Sequence, residues 1–310
     1  MAPRCAPPRG GRGVTGVKFP VREVDELQVT VLVDNSAGGV PGLLATHGLS
    51  MLVRSKFKDH WSNVLLDVGP DAGVLFNNME RLRIDPSTID CIVVSHNHND
   101  HAGALPKVVE RLGRRGLAVI THPAAFRLTF THRPTPFVIS NLAGDRSAIE
   151  AAGGVFLPVT EPLEVAPGLF TTGTVVRETG EPTGIDSKTI EHDGTWHDDA
   201  IMDDLSLVTR VKGQGLAILT GCSHAGIINI LRHSMRIADE KTVALVMGGF
   251  HLVSASEERL AWAMAEFSAI KPAMLVSGHC SGFQAEAAMW QVFGKAYRHM
   301  YAGQTVRLPA

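Results

Sequence analysis

The stretch VVSHNHNDHAGAL, residues 93–105, places three histidines and an aspartate within six consecutive positions, 96–101, directly behind an apolar run. A solvated polar loop would carry this composition without consequence. Here, however, the cluster lies between a run of the buried-strand type, IDCIVVS, and a glycine-containing helix start, where so many polar groups need partners. His96 and His98, two apart on an extended turn, aim the same way, while Asp100 and His101 open the helix and reach a neighbouring point. Neutral imidazole together with carboxylate suits Zn, Fe, Mn or Ni.

Working outward, short apolar runs alternate with helical patterns. The runs predict strands over 27–34, 63–69, 89–95 and 117–122 in the first half, and over 205–211, 216–221, 242–249 and 273–278 in the second. Helical periodicity predicts helices over 71–82, 102–112, 226–238, 257–270 and 283–293. The two halves are alike, which points to an α/β architecture of two packed sheets with helices outside. Two long segments, 124–154 and 177–204, read as irregular, and loops of that length are the expected place for substrate selection. No linker divides the chain, so residues 23–310 read as one domain behind a flexible Arg/Pro/Gly tail over 1–22.

One feature recurs at the strand ends. SHNHNDH follows CIVV, GCSH follows LAILT, GGFH follows VALVM, and SGHCSG follows AMLV. Side chains on such turns converge on the crevice beyond the carboxyl ends of the strands, where open α/β sheets bind ligands.

Composition excludes several classes. Lys+Arg number 29 against 31 Asp+Glu, and the net charge of −2 gives no footprint for nucleic acid or an anionic membrane, so the expected partner is a small-molecule substrate. The tail lacks the apolar core of a secretion signal, and no uncharged apolar run reaches the roughly 18 residues of a membrane span. Cys5, Cys91, Cys222 and Cys280 are scattered too widely for a disulfide framework, which fits a reducing, cytoplasmic setting. The G-x-S-x-G elbow is absent, and neither a phosphate loop nor a dinucleotide fingerprint occurs in strand-to-helix context.

At His96, His98, Asp100 and His101 the chain matches HxHxDH and so resembles the metallo-β-lactamase fold superfamily. LLDVG (65–69), LTGC (219–222) and SGHCSG (277–282) follow in the superfamily's order. The phrases DNSAGGVPGLLATHGLSMLV, TGCSHAGIINIL, GGFHL and SGHCSG resemble the branch of 7,8-dihydropterin-6-methyl-4-(β-D-ribofuranosyl)-aminobenzene-5'-phosphate synthase-related metal-dependent hydrolases. The resemblance implies an αββα four-layer sandwich with a two-metal site at one edge. Carried over, His96 and His98 bind the first of two divalent ions, expected to be Zn with Mn or Fe as alternatives, and Asp100, His101 and His279 bind the second.

Two departures stand out. The histidine that many members carry in a turn resembling TPGHT is replaced in TTGTVV by Thr174, and His224 is its expected substitute, with helix capping as the structural alternative. Cys222 occupies the place of the bridging aspartate, where it is either a thiolate ligand or a small packing residue. His251 is read as a donor to a developing anion or as a structural histidine. Asp100, beside ligating, is read as orienting the nucleophile or accepting its proton. His47 reads as facing the site or stabilising a turn, Asp203 and Asp204 as acceptors for ligand histidines or ordinary loop carboxylates, and His192 and His197 as solvated. The expected activity is hydrolysis of a small phosphoester. Lactone, ester or β-lactam hydrolysis, an iron-dependent redox activity and a non-catalytic metal sensor are the alternatives.

Overall fold

The structure, a computed structural model, describes residues 22–131, 137–140, 142–190 and 194–309. Apart from Arg22, the expected tail lies outside the described residues, as do Cys5 and His192. A seven-stranded sheet runs in the order Thr305–Pro309, Glu26–Val33, Ser50–Phe57, His60–Leu66, Cys91–Val93, Leu117–Thr121, Gly154–Pro158. Its first four strands pair antiparallel and the remainder parallel. A second sheet runs Glu164–Ala166, Leu169–Thr171, Ser206–Val211, Gly215–Thr220, Val243–Gly249, Leu275–Gly278, Tyr297–His299, with Glu23–Val24 beside Ser206–Val211.

The period of two along each strand divides the core into layers. Cys91 and Val93 join Ala217 and Leu219 of the other sheet in one buried cluster between the sheets. Their neighbours Ile92 and Val94 pack outward against Leu75 of the helix Ala72–Arg81 and Val108 of the helix Leu105–Leu112. Leu216 and Ile218 pack outward on the opposite side, against Ile230 of the helix Ile227–Ile237 and Phe267 of the helix Glu257–Ile270. Helix, sheet, sheet, helix is therefore the order of layers, as expected.

Register brings the functional loops level. Leu66 pairs with Val93, Leu219 with Met247, and Gly249 with Gly278, so the chain leaves these strands along one rim.

The two segments read as irregular are not. They contain the helix Leu142–Ala151 and four strands, ordered Trp196–Asp198, Ser187–Ile190, Thr129–Thr131, Phe137–Ser140, which form a third sheet. Strands of three or four residues are too short to show periodicity, and this sheet exists only because the two distant segments pair. Ser50–Phe57, Gly154–Pro158 and Thr305–Pro309 are further strands that the sequence pattern leaves out.

Leu219, fully buried between the sheets, provides a test of the layering. Leu219→Ala is expected to lower unfolding free energy by about 2–5 kcal/mol, as for other buried leucines. Phe283→Ala, at a side chain 86% exposed, is expected to change it by less than about 0.5 kcal/mol. Urea denaturation of both variants measures the contrast.

Candidate metal centre

The rim is organised by Asp67, which follows the strand His60–Leu66, is fully buried, and adopts a left-handed backbone with φ 59°. Its carboxylate accepts hydrogen bonds from the Ser95 N–H, the Ser95 hydroxyl and His101 Nδ1, each at 2.7 Å. Gly221 lies so close that a Cβ there would stand 2.1 Å from Ser95 Oγ, so the strand end from which Cys222 departs requires glycine. Ser223, His251 and His279 also have positive φ. Non-glycine residues held in this region cost energy and gather where function constrains the backbone.

Hydrogen bonds determine which ring nitrogen each histidine turns inward. The Ser95 hydroxyl donates to Asp67 and therefore accepts from His96 Nδ1, 3.0 Å away. His224 Nδ1 donates to the Thr183 carbonyl at 2.6 Å, and His101 Nδ1 is held by Asp67. All three rings thus present Nε2 to a shared space, the arrangement that outer partners impose on metal-ligating histidines. His98 Nδ1 lies 3.0 Å from His96 Nε2. His101 Nε2 is 3.0 Å from Cys222 Sγ and 3.1 Å from His279 Nε2, and Asp100 Oδ2 is 3.2 Å from His279 Nε2.

Two donor sets result, Asp100/His101/Cys222/His279 and His96/Cys222/His224, and within each set the ligand atoms lie within 4.8 Å of one another. His98 approaches the second set through His96. A cation fits this arrangement: His224 Nε2 is buried without a hydrogen-bond partner, a loss of about 1–3 kcal/mol for a polar atom, and its tautomer leaves it a bare lone pair. Cys222 belongs to both sets, so its sulfur sits where a shared ligand would.

Burial and the charges of the rim set the protonation of its groups. Burial, reinforced by neighbouring histidines, pushes His96 and His224 well below the usual imidazole range. Burial likewise takes His251 and His279 down to about 4. For His101, burial is outweighed by Asp100 and Asp67, which raise it to about 9. Burial would raise Asp100 too, but His101 and His279 hold its carboxyl well below the usual carboxylate range. The Cys222 thiol is pushed far up by burial and by Cys280.

The rim thus gathers His96, His98, Asp100, His101, Cys222, His224 and His279. The His251 ring lies 4.3 Å from that of His224, tilted by 46°, and borders a cavity of ≈ 50 Å³ lined by Ser223, Gly226 and Arg259. His47, largely exposed, faces the site rather than its own turn, with Nε2 3.4 Å from Asp100 Oδ2 and its ring stacked 5.1 Å from His279. Thr174 is engaged elsewhere, between His122 Nε2 and the Thr160 carbonyl. Asp203 and Asp204 are buried and act on backbone rather than on imidazole. Asp203 accepts the Asn97 N–H between the two leading histidines and binds Arg127, whereas Asp204 accepts the Ala225 N–H beside His224, and burial raises its carboxyl to about 7. His197 is exposed on the strand Trp196–Asp198. Asp67, Ser95 and Thr183 were missed by residue pattern. LLDVG and VVSH put the first two in view, but nothing local marks Asp67 as the acceptor for a residue 34 positions away.

Comparison with known proteins identifies the family and the fold. The family described as the metallo-beta-lactamase superfamily matches residues 45–201. The chain is 29% identical over 293 residues to the 7,8-dihydropterin-6-methyl-4-(beta-D-ribofuranosyl)-aminobenzene-5'-phosphate synthase of Methanocaldococcus jannaschii, covering 93% of this chain and 98% of that one. It is 30% identical over 280 residues to an uncharacterized protein of the same organism, covering 88% and 97%. The crystal structure of Tm1679, a metal-dependent hydrolase of the beta-lactamase superfamily, superposes with a TM-score of 0.77 at 27% identity, covering 92% of this chain and all of that one.

Two predictions follow from the ring orientations. Ala at His96, His98 or His224 is expected to weaken metal binding by at least about tenfold without unfolding the protein, whereas Thr174→Ala leaves it unchanged. Chelator-competition titrations compare the four variants. Second, a cation on His101 Nε2 displaces the proton that the metal-free protein holds up to about pH 9. Metal uptake is therefore expected to release protons, with affinity rising by up to about tenfold per pH unit below about pH 9 and levelling off above it. In the metal-free protein the sign is opposite: the stability contributed by the raised His101 is complete below 6.5 and is lost as pH rises through about 9. Calorimetry in buffers of different ionisation enthalpy reads the released protons.

Proposed function

The chain belongs to the metallo-beta-lactamase superfamily, and on that premise we propose that it is a metal-dependent hydrolase that acts on a small phosphorylated substrate at a paired-cation centre. The observation that carries this reading is the presence of Cys222 in both donor sets, which makes them neighbours around one space. Support for the reaction class comes from the likeness to Tm1679, and support for a phosphorylated substrate from the name of the synthase relative. Zn is the proposed metal, with Mn or Fe fitting the same nitrogen, oxygen and sulfur donors.

Divalent cations supply charge neutralisation and activation of water near neutral pH. The protein's own groups divide the remaining work. Asp100, held well below the usual carboxylate range, is a poor proton store at neutral pH, so its part is to ligate and to orient the nucleophile. His251, uncharged at neutral pH, serves as a neutral hydrogen-bond donor toward the anion that develops on the attacked group. His47, exposed above Asp100 and His279, is available to the substrate on the other flank.

One observation favours a second reading. A cysteine at the shared position is a soft donor at home beside iron, as an iron-dependent redox enzyme would use it. The two readings separate experimentally. The hydrolase is expected to purify with Zn or Mn and to cleave a chromogenic phosphoester faster than lactone, ester or β-lactam substrates. Bound iron with redox turnover and no hydrolysis would reject it, and metal without any turnover would assign a sensor. In the Co(II)-substituted protein, sulfur-to-metal charge-transfer absorption is expected to disappear in Cys222→Ser and to persist in Cys280→Ser. Absence of the band in the parent makes Cys222 a packing residue.

A further inference from the structure

His279, like His101, has an acceptor beside each ring nitrogen, but only one of its two acceptors is a carboxylate. Asp100 Oδ2, 3.2 Å from Nε2, favours a proton on the inward nitrogen. Asn35 Oδ1, 3.0 Å from Nδ1, favours one on the outward nitrogen. The backbone decides which atom of the Asn35 amide faces the ring. The Gly48 N–H, which can only donate, lies 3.2 Å from Oδ1 and identifies it as the acceptor. Nδ2 then donates to the His279 carbonyl at 3.1 Å, a bond that also restrains a residue with φ 52°. Asn35 itself does not follow His279, because its neighbours are tied down independently. Asp34 accepts from the Ser36 N–H and hydroxyl and, through its carbonyl, from the Thr46 N–H, while the Ala302 N–H donates to the Ser36 carbonyl.

We propose that Asn35 is a positioning residue that keeps the proton of His279 on Nδ1, against the pull of Asp100, so that Nε2 is the free donor of the Asp100/His101/Cys222/His279 set. This inference rests on the metal-centre reading above. A residue of the loop that follows Glu26–Val33 in the first sheet thereby sets the tautomer of a ligand carried by the second sheet. Without Asn35 the proton is free to move to Nε2 and donate to Asp100, and a cation must then displace it.

The test uses the whole chain and two readouts. In metal-free protein labelled with ¹⁵N-histidine, the His279 ring, identified by the loss of its signals in His279→Gln, is expected to carry its proton on Nδ1 in the parent and on Nε2 in Asn35→Ala. In chelator competition with Zn(II), Asn35→Ala is expected to weaken the second equivalent by about 10- to 100-fold and to leave the first unchanged. Asn35→Asp still accepts from His279 Nδ1 and so is expected to keep the Nδ1 proton. With Asp100 on Nε2, however, it gives His279 two carboxylates, the condition that keeps a proton on His101, so its second-equivalent affinity is expected to fall at neutral pH and to recover as pH rises. A parent with the proton on Nε2, an Asn35→Ala that leaves the second equivalent unchanged or weakens both alike, or an Asn35→Asp that loses the Nδ1 proton would overturn the proposal. A parent that binds no Zn defeats the metal reading instead, and the tautomer measurement still decides what Asn35 does.

Discussion

A fully buried carboxylate, Asp67, holds two turns of the first sheet together, and the rest of the site depends on that bond set. Buried without partners, such a charge would cost several kcal/mol or take up a proton. Here it has three donors, and two of them orient metal-site histidines: His101 directly, and His96 through the Ser95 hydroxyl. One acceptor thus fixes both the path of the chain after Val93 and the nitrogen that two rings offer to the rim. Losing Asp67 would leave the Ser95 and His101 groups without their acceptor and release both rings together, so its structural and chemical roles cannot be separated by position.

The second sheet solves the same problem with backbone. Thr183 offers a carbonyl to His224, and Asp203 and Asp204 clamp the N–H groups of Asn97 and Ala225, each next to a ligand-type histidine. Arg127 extends this hold to the third sheet, because it bonds Asp199 as well as Asp203. The short strands around Thr129 and Trp196 therefore do not hang free over the rim. They connect to the turn between His96 and His98 through the Arg127 guanidinium and through the Asn97 side chain, which donates to the Ala125 and Arg127 carbonyls.

Much of this was legible in the sequence, and the reasons for the rest are specific. His96, His98, Asp100 and His101 announce themselves because four ligand-type side chains behind a buried strand have no cheap structural use. The strand-end histidines 224, 251 and 279 are legible as a recurring position, and the alternating cores of the two sheets fix the layers. Asp67 was not legible as an organiser, since its role lies in a contact across 34 residues and its own neighbours are ordinary strand residues. Asn35 sits in a turn-like DNS, which reads as loop chemistry until His279 is placed against it. The helix Leu142–Ala151 and the third sheet were hidden by the brevity of their strands and by pairing that no local window contains. For His47 the sequence left two readings, facing the site or stabilising a turn, and the fold places its ring against His279.

The charge balance of the rim explains why these residues belong together in one place. Two carboxylates around His101 hold a proton on its ring, and burial, the Cys280 thiol and the Asp100 and Asp204 carboxylates together hold one on the Cys222 thiol. A dication reverses both conditions, since it takes the Nε2 position from the proton and makes a coordinating thiol acidic. The protons at His101 and Cys222 therefore occupy the places that cations would take. On the proposed reading, a bound cation would satisfy the buried Nε2 atoms of His98 and His224, which have no hydrogen-bond partner, and would tie the folding of these loops to metal occupancy.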